Sequence, residues 1–274
     1  MDDNWIEMFL NERGFLVSGT KGFAHRFGLS GPDKERPSIR FVASNPSGSR
    51  ALFFVVLESI SPDRAPRLVN ALKSNPIYTG LNDILQPLYI LITLEDGRFY
   101  LDEYMTPDEL AQWFYQHEPA LSNNIGTGKE INRSESQRKG DLFRRFTRKH
   151  LSRYCTTNDI DALRLTGSQP QQPLILELKK PNESIDGWKP YIDDCPNYMY
   201  LIALAQKRGV DFRVIAYNSD LSERVKLILN LKCDKPSRKA TQIHYEWALV
   251  SPVEALGPVP NSLNPGVSSR KRQR

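Results

Sequence analysis

The sequence predicts an α/β chain in which each half runs strand, strand, helix, strand, strand. Short apolar runs bounded by turn residues read as strands, and segments with apolar residues at helical spacing alternate with them. In the first half, an amphipathic helix (Trp5, Met8, Phe9) leads into a turn-rich stretch over 22–37. Strands are expected at 39–43 and 51–58, then a helix over 66–85 interrupted near Pro76. Residues 88–94 and 99–104 form a hairpin, because Glu95-Asp96-Gly97 supplies the glycine that primed hairpin turns demand. A helix over 107–115 has Thr106 as N-cap and Asp108 and Glu109 in its first turn.

The second half repeats the order. Residues 141–154 read as a helix, with Phe143, Phe146 and His150 at i, i+3 and i+7. Strands at 160–165 and 174–179 are joined by a Gly/Ser/Gln/Pro loop. An apolar helix over 197–207 stops at Gly209, and strands follow at 212–217, 224–231 and 242–250. The expected organisation is an α/β domain over 1–120, a polar linker over 121–136, a second α/β domain over 137–250 and a tail over 251–274. Four prolines and a basic end make that tail read as disordered. An internal duplication explains the repeated order, as does independent adoption of it by two α/β domains.

Charge separates the halves. Residues 1–120 carry 11 Lys+Arg against 16 Asp+Glu, while residues 121–274 carry 26 against 16. A basic second half is suited to a polyanion, and the acidic first half is suited to scaffolding or a protein partner. No apolar run approaches the length of a membrane helix, and the first residues lack a signal peptide's pattern, so neither a membrane nor a secretory role is expected. Cys155, Cys195 and Cys233 form no CxxC pair and read as reduced, buried thiols of a cytoplasmic protein. The four histidines are scattered, and no phosphate-binding glycine loop is present, which argues against zinc hydrolases and nucleotide-driven chemistry.

The chemistry gathers at Asn158-Asp-Ile-Asp-Ala-Leu-Arg-Leu165 and Leu174-Ile-Leu-Glu-Leu-Lys-Lys180. Side chains alternate along a strand, so Glu177 and Lys179 share a face and Leu178 takes the other. If the preceding strand pairs alongside, Asp161 reaches the same patch, with Asp159 its rival two residues earlier. Two carboxylates and a backbone carbonyl suit a hard divalent ion that keeps several waters. Lys179 beside a bound water would position or deprotonate it and offset charge in the transition state. A solvated cross-strand ion pair is the bland alternative, but the apolar neighbours Leu174, Ile175, Leu176 and Leu178 make unpaired charge here costly.

This pattern resembles the PD-(D/E)xK nuclease superfamily over roughly 141–231. The resemblance implies a restriction-endonuclease-like mixed sheet flanked by helices in the C-terminal half, and a metal-dependent endonuclease acting on DNA more readily than RNA. It implies Asp161, Glu177 and Lys179 as catalytic residues. Asp161, Glu177, the carbonyl of Leu178 and Asp141 would hold Mg2+, or Mn2+, although the family more commonly has Glu at the Asp141 position. Ile160 stands where the family often has Pro. Arg145, Arg148 and Lys149 on the 141–154 helix, with Lys180, Lys189 and Tyr191 after the motif, are the candidate nucleic-acid contacts; Arg144 and Arg153 share that helix. Such proteins often act as homodimers. In the first half, Val56-Leu-Glu-Ser-Ile60 parallels Ile175-Leu-Glu-Leu-Lys179, with Ser38 and Ile60 replacing the Asp and Lys, so that half reads as an inactive copy or an unrelated α/β domain. A non-catalytic nucleic-acid-binding or assembly protein that keeps the fold is the alternative to an enzyme.

Overall fold

The computed structural model describes residues 5–29, 36–44, 51–123, 125, 141–152, 155–165, 172–218, 223–234, 240–258 and 266–271. In chain order these form α1 (Trp5–Glu12), β1 (Phe15–Val17), α2 (Lys21–Arg26), β2 (Ser38–Ala43), β3 (Ala51–Ile60), α3 (Ala65–Lys73) and α4 (Pro76–Ile84). Next come β4 (Leu88–Leu94), β5 (Phe99–Leu101), β6 (Glu103–Met105), α5 (Pro107–His117), α6 (Leu142–His150) and β7 (Thr156–Ile160). The chain continues with β8 (Ala162–Arg164), β9 (Leu174–Lys179), α7 (Cys195–Arg208) and β10 (Asp211–Ala216). It ends with β11 (Val225–Cys233), β12 (Gln242–Val250), α8 (Pro252–Leu256) and β13 (Gly266–Lys271).

The protein is α/β, with two mixed sheets flanked by helices, but its two units do not divide near residue 120. The terminal unit joins Met1–Val17 to Ile160–Arg274; the insert unit is Ser18–Asp159. The cause lies in packing between distant segments. β1 pairs antiparallel with β8, and Ile6 and Leu10 of α1 enter one core with Leu176 and Ala248. In turn, Phe143 and Phe146 of α6 enter the insert core with Phe54 and Phe114. The helix expected to open the second domain therefore belongs to the insert. Most of the expected linker lies outside the described residues; of its ends, Pro119–Ser122 is a short 3-10 turn and Ile125 bridges Ser152.

Both sheets share a run of pairings. In the insert, β2 and β3 are antiparallel, β3 and β4 parallel, β4 and β5 antiparallel. In the terminal unit, β8 and β9 are antiparallel, β9 and β10 parallel, β10 and β11 antiparallel. A parallel pair needs a crossover, supplied by α3 and α4 in one unit and α7 in the other. The terminal sheet is covered on both faces. Leu174, Leu176 and Leu178 meet the core that contains α1 and α8, while Val214 and Ala216 face Cys195 and Tyr198 of α7. α7 closes on Gly209 in the left-handed conformation (φ 64°), as expected of a helix-ending glycine.

Three expectations are corrected. The segment 251–274 contains order: Ser251 and Glu254 form a capping box that starts α8, and β13 pairs antiparallel with β12. Its prolines mislead because Pro252 stands at a helix's first turn, where a missing N–H costs nothing. β13 also lies so close to Trp247 that a Cβ on Gly266 would be 2.8 Å from the indole. Cys195 and Cys233 are not free thiols but a disulfide joining the start of α7 to the end of β11, with Cα atoms 6.2 Å apart; Cys155 is free and buried. The stretch after Thr20 holds α2, capped by the Thr20 hydroxyl, which accepts from the Phe23 N–H. Among the described residues no helix is long and apolar enough to cross a membrane.

Candidate functional site

The terminal site is built on the end of β9. Glu177 and Lys179 leave the same face, toward α7, and the Lys179 ammonium lies 2.9 Å from Glu177 Oε1. The same ammonium lies 2.9 Å from Asp194 Oδ2, at the start of α7. Asn197, one turn on, donates from Nδ2 to Glu177 Oε1 at 3.0 Å, and the Tyr198 hydroxyl donates to Asp194 at 3.2 Å. Asp161 directly precedes Ala162, the strand partner of Leu176, and its Oδ2 accepts the Leu178 N–H at 2.7 Å. In a strand the N–H and C=O of one residue leave on the same side, so the Leu178 carbonyl is directed to Asp161's side of β9. Glu177 is thus paired with Lys179, and Asp161 is held against the Leu178 backbone between them.

Electrostatics set the protonation states. Glu177 is 2% exposed, and burial raises its carboxyl above the ordinary range despite the opposing effect of Lys179. Burial would lower the Lys179 ammonium, but the charges and hydrogen bonds of Glu177 and Asp194 raise it above its usual value. Both partners therefore favour the charged form of Lys179. Tyr198 is raised well above its ordinary range by burial and by Asp194 and Glu177, so its phenol stays a donor.

Two buried oxygens here have no hydrogen-bond partner, Glu177 Oε2 and Asn197 Oδ1. An unmatched buried carboxylate oxygen is costly, and a bound cation or its water would remove that cost. Among the described residues, no group of three or more His, Cys, Asp or Glu side chains is gathered to hold a metal by protein ligands alone. An ion held here would have to rest on Asp161, Glu177 and a backbone carbonyl, with water completing its shell.

The remaining candidates divide between the units. Lys180, Lys189 and Tyr191 are exposed in the terminal unit, on the segment that runs from β9 to α7. That segment is pinned by Lys226, whose buried ammonium donates to the carbonyls of Trp188 (2.7 Å) and Asp186 (2.9 Å). Arg270 of β13, which sequence reasoning assigned to a disordered tail, donates to the Lys189 carbonyl at 3.2 Å and lies 5.2 Å from the Tyr191 ring centre. Arg145, Arg148 and Lys149 are exposed on α6, in the insert unit; Arg153 lies outside the described residues.

Asp141 is not with Asp161 and Glu177. It caps α6 in the insert, accepting the Arg144 N–H at 3.0 Å, and pairs with Arg40. Asp159 joins it, 3.1 Å from Arg40 Nε and 2.6 Å from Arg144, which removes it as a rival to Asp161. Glu58 completes the cluster at 3.3 Å from Arg40. Burial, together with the hydrogen bond and charge of Asp141, pushes Glu58 up to about 8. Burial acts against ionisation of Asp141 too, but the Glu58 hydrogen bond and Arg40 hold it below its ordinary range. The pair therefore shares one proton near neutrality.

The proposed equivalence of Glu58 and Glu177 fails on geometry. Glu58 shares a face with Phe54 and Val56, which pack on α5 and α6; the buried residues of α3 and α4 are not in that cluster. Glu177 instead faces its own crossover helix. Sequence reasoning missed Asp194, Asn197 and Tyr198. Their one signal is the i, i+3, i+4 spacing at a helix start just after the motif. No protein family, curated protein or solved structure matches this chain.

Proposed function

We propose that the terminal unit is a Mg2+-dependent endonuclease of the PD-(D/E)xK kind, acting on DNA. The observation that carries the reading is the Glu177–Lys179 pair on one strand face beside Asp161, with Glu177 Oε2 buried and unpartnered. Asp161, Glu177 and the Leu178 carbonyl are the residues that would hold the ion. When bound, it supplies Lewis acidity and a water of lowered pKa. Lys179 holds a positive charge next to the phosphate and steadies the charge that develops there. Asp194 and Tyr198 fix the direction of that ammonium, and Asn197 fixes Glu177. Lys180, Lys189, Tyr191 and Arg270 hold the backbone and a base on the approach within the terminal unit.

Purified chain with Mg2+ should cut plasmid DNA, and Glu177→Ala and Lys179→Ala should each abolish cutting while remaining folded. Full cleavage by either variant overturns the assignment. The competing reading, a non-catalytic nucleic-acid-binding protein, is favoured by the closed Lys179 ion pairs, and predicts salt-sensitive DNA binding indifferent to EDTA and to Glu177→Ala.

A further inference from the structure

The insert unit contains a cavity that none of this chemistry uses. Tyr89 of β4, Leu101, Asp102, Glu103, Met105 and Trp113 of α5 line a space of about 360 Å³. That is large enough for a small ligand or the head of a long side chain. Its aromatic wall is a corner: the Tyr89 and Trp113 rings are 4.8 Å apart and 87° to one another. His117 stacks on Trp113 at 3.8 Å without lining the cavity, which backs the indole and fixes its plane. Phe54 and Phe114 pack edge-on against the same indole from the core.

The rim is acidic. Asp102 and Glu103 are both exposed there, and the lining includes no basic side chain. Asp102 holds a positive φ of 61°, rare for a residue with a side chain, at the junction of β5 and β6. Its carboxylate already takes one ammonium, Lys73, at 2.5 Å. The rings carry negative quadrupole charge on their faces and Glu103 adds a formal charge beyond the Asp102–Lys73 pair, so the site favours cations over anions. Perpendicular rings enclose a round headgroup better than a flat guanidinium, which prefers to stack on one face. The apolar floor of Leu101 and Met105 suits methyl groups on that cation.

We propose that this cavity binds a trimethylammonium group. The source is either a free small molecule or a methylated lysine side chain of a protein, and the chemistry is common to both. The test uses the full chain and follows the Trp113 indole N–H by NMR, identified by its loss in Trp113→Phe, alongside calorimetry. Choline and a trimethyllysine peptide serve as the two probes, with the unmethylated peptide and choline's neutral carbon isostere as controls. Trimethylated probes should shift the Trp113 signal and bind at least about tenfold more tightly than either control, since cation–π attraction needs charge and the cage needs methyl groups.

Preference for free choline over the peptide would assign the small-molecule source, and the reverse the protein source. Because Trp113 and Tyr89 also support the core, the exposed Glu103→Gln supplies a variant that folds, and it should weaken binding severalfold. Equal binding of the neutral isostere, equal binding of the unmethylated peptide, or an unmoved Trp113 signal at saturating choline would each overturn the proposal. None of these readouts depends on nuclease activity.

Discussion

The insert and terminal units pair four strands in the same senses, yet use buried carboxylates in opposite ways. In the insert, Glu58, Asp141 and Asp159 surround Arg40, a cation supplied by the chain and held on β2. In the terminal unit, Lys179 is drawn between Glu177 and Asp194, and Glu177 keeps one oxygen unmatched. Each carboxylate of the first cluster is ion-paired to a guanidinium that the chain supplies, although Glu58 Oε1 and Asp159 Oδ1, like Glu177 Oε2, make no hydrogen bond. Similar strand pairing thus does not carry similar chemistry, because the face from which a glutamate leaves decides what it meets. The sharpest way to break this comparison is a paired measurement. Glu177→Gln should lower plasmid cleavage by about 10²–10³-fold, a loss typical of a key electrostatic group, and Glu58→Gln should change it by less than about threefold. Equal losses would mean that the two clusters act in one chemistry.

Next in size is the effect of Arg40. Its side chain is 8% exposed and faces three carboxylates. Removing one partner of a buried ionic cluster leaves uncompensated charge and costs about 3–5 kcal/mol. Arg40→Ala should therefore destabilise the insert specifically. Hydrogen exchange should rise in peptides from β2 and β3 and stay unchanged in those from β9 and β10. Uniform loss of protection across both units would show that the insert is not an independent cooperative body.

The sequence made much of this legible, and its failures have identifiable causes. β9 and its motif were readable because alternation fixes which side chains share a face, and the Glu177–Lys179 contact follows from that alone. The unit boundaries were not, since they depend on β1 meeting β8 nearly 150 residues away, a pairing that three apolar residues cannot announce. Asp141 was assigned to the wrong unit for the same reason: its helix buries Phe143 and Phe146, and their partners Phe54 and Phe114 lie far upstream. β13 was hidden by composition, because Gly266–Lys271 is polar and short. Only contact with Trp247 and β12 makes it a strand. The Ser251-x-x-Glu254 capping box is a helix-start signal in the sequence that a reading by proline content passes over.

Proton linkage separates the clusters further. Glu58 has its folded pKa pushed up to about 8 from an ordinary 4.5. Between these values the unfolded chain releases a proton that the folded insert retains, so stability falls as pH rises through that window. Asp141 is shifted the other way, and its contribution is lost only as pH falls below its ordinary 3.8, outside the window. Glu58→Gln keeps a donor for Asp141 but cannot ionise. It should flatten the decline, making the insert about 1–2 kcal/mol more stable than the parent at pH 8 relative to pH 5, after discounting for partial exposure. Denaturant unfolding followed at both pH values checks this; parallel curves for parent and variant would place the shared proton elsewhere.

The smallest expected effect tests whether the terminal unit's approach surface includes the last strand. Arg270 contributes one cation beside Tyr191 and Lys189, so Arg270→Ala should weaken DNA binding a fewfold. It should also reduce the salt slope by about 1, the signature of one lost phosphate contact. Gly266→Ala removes no charge, but its methyl would be placed 2.8 Å from the Trp247 ring and must displace β13. If β13 positions Arg270, the glycine variant lowers affinity as well. Should Gly266→Ala bind DNA normally while Arg270→Ala does not, the arginine acts as loose charge and the strand has no part in recognition. Should neither variant change binding, neither Arg270 nor β13 takes part in DNA recognition.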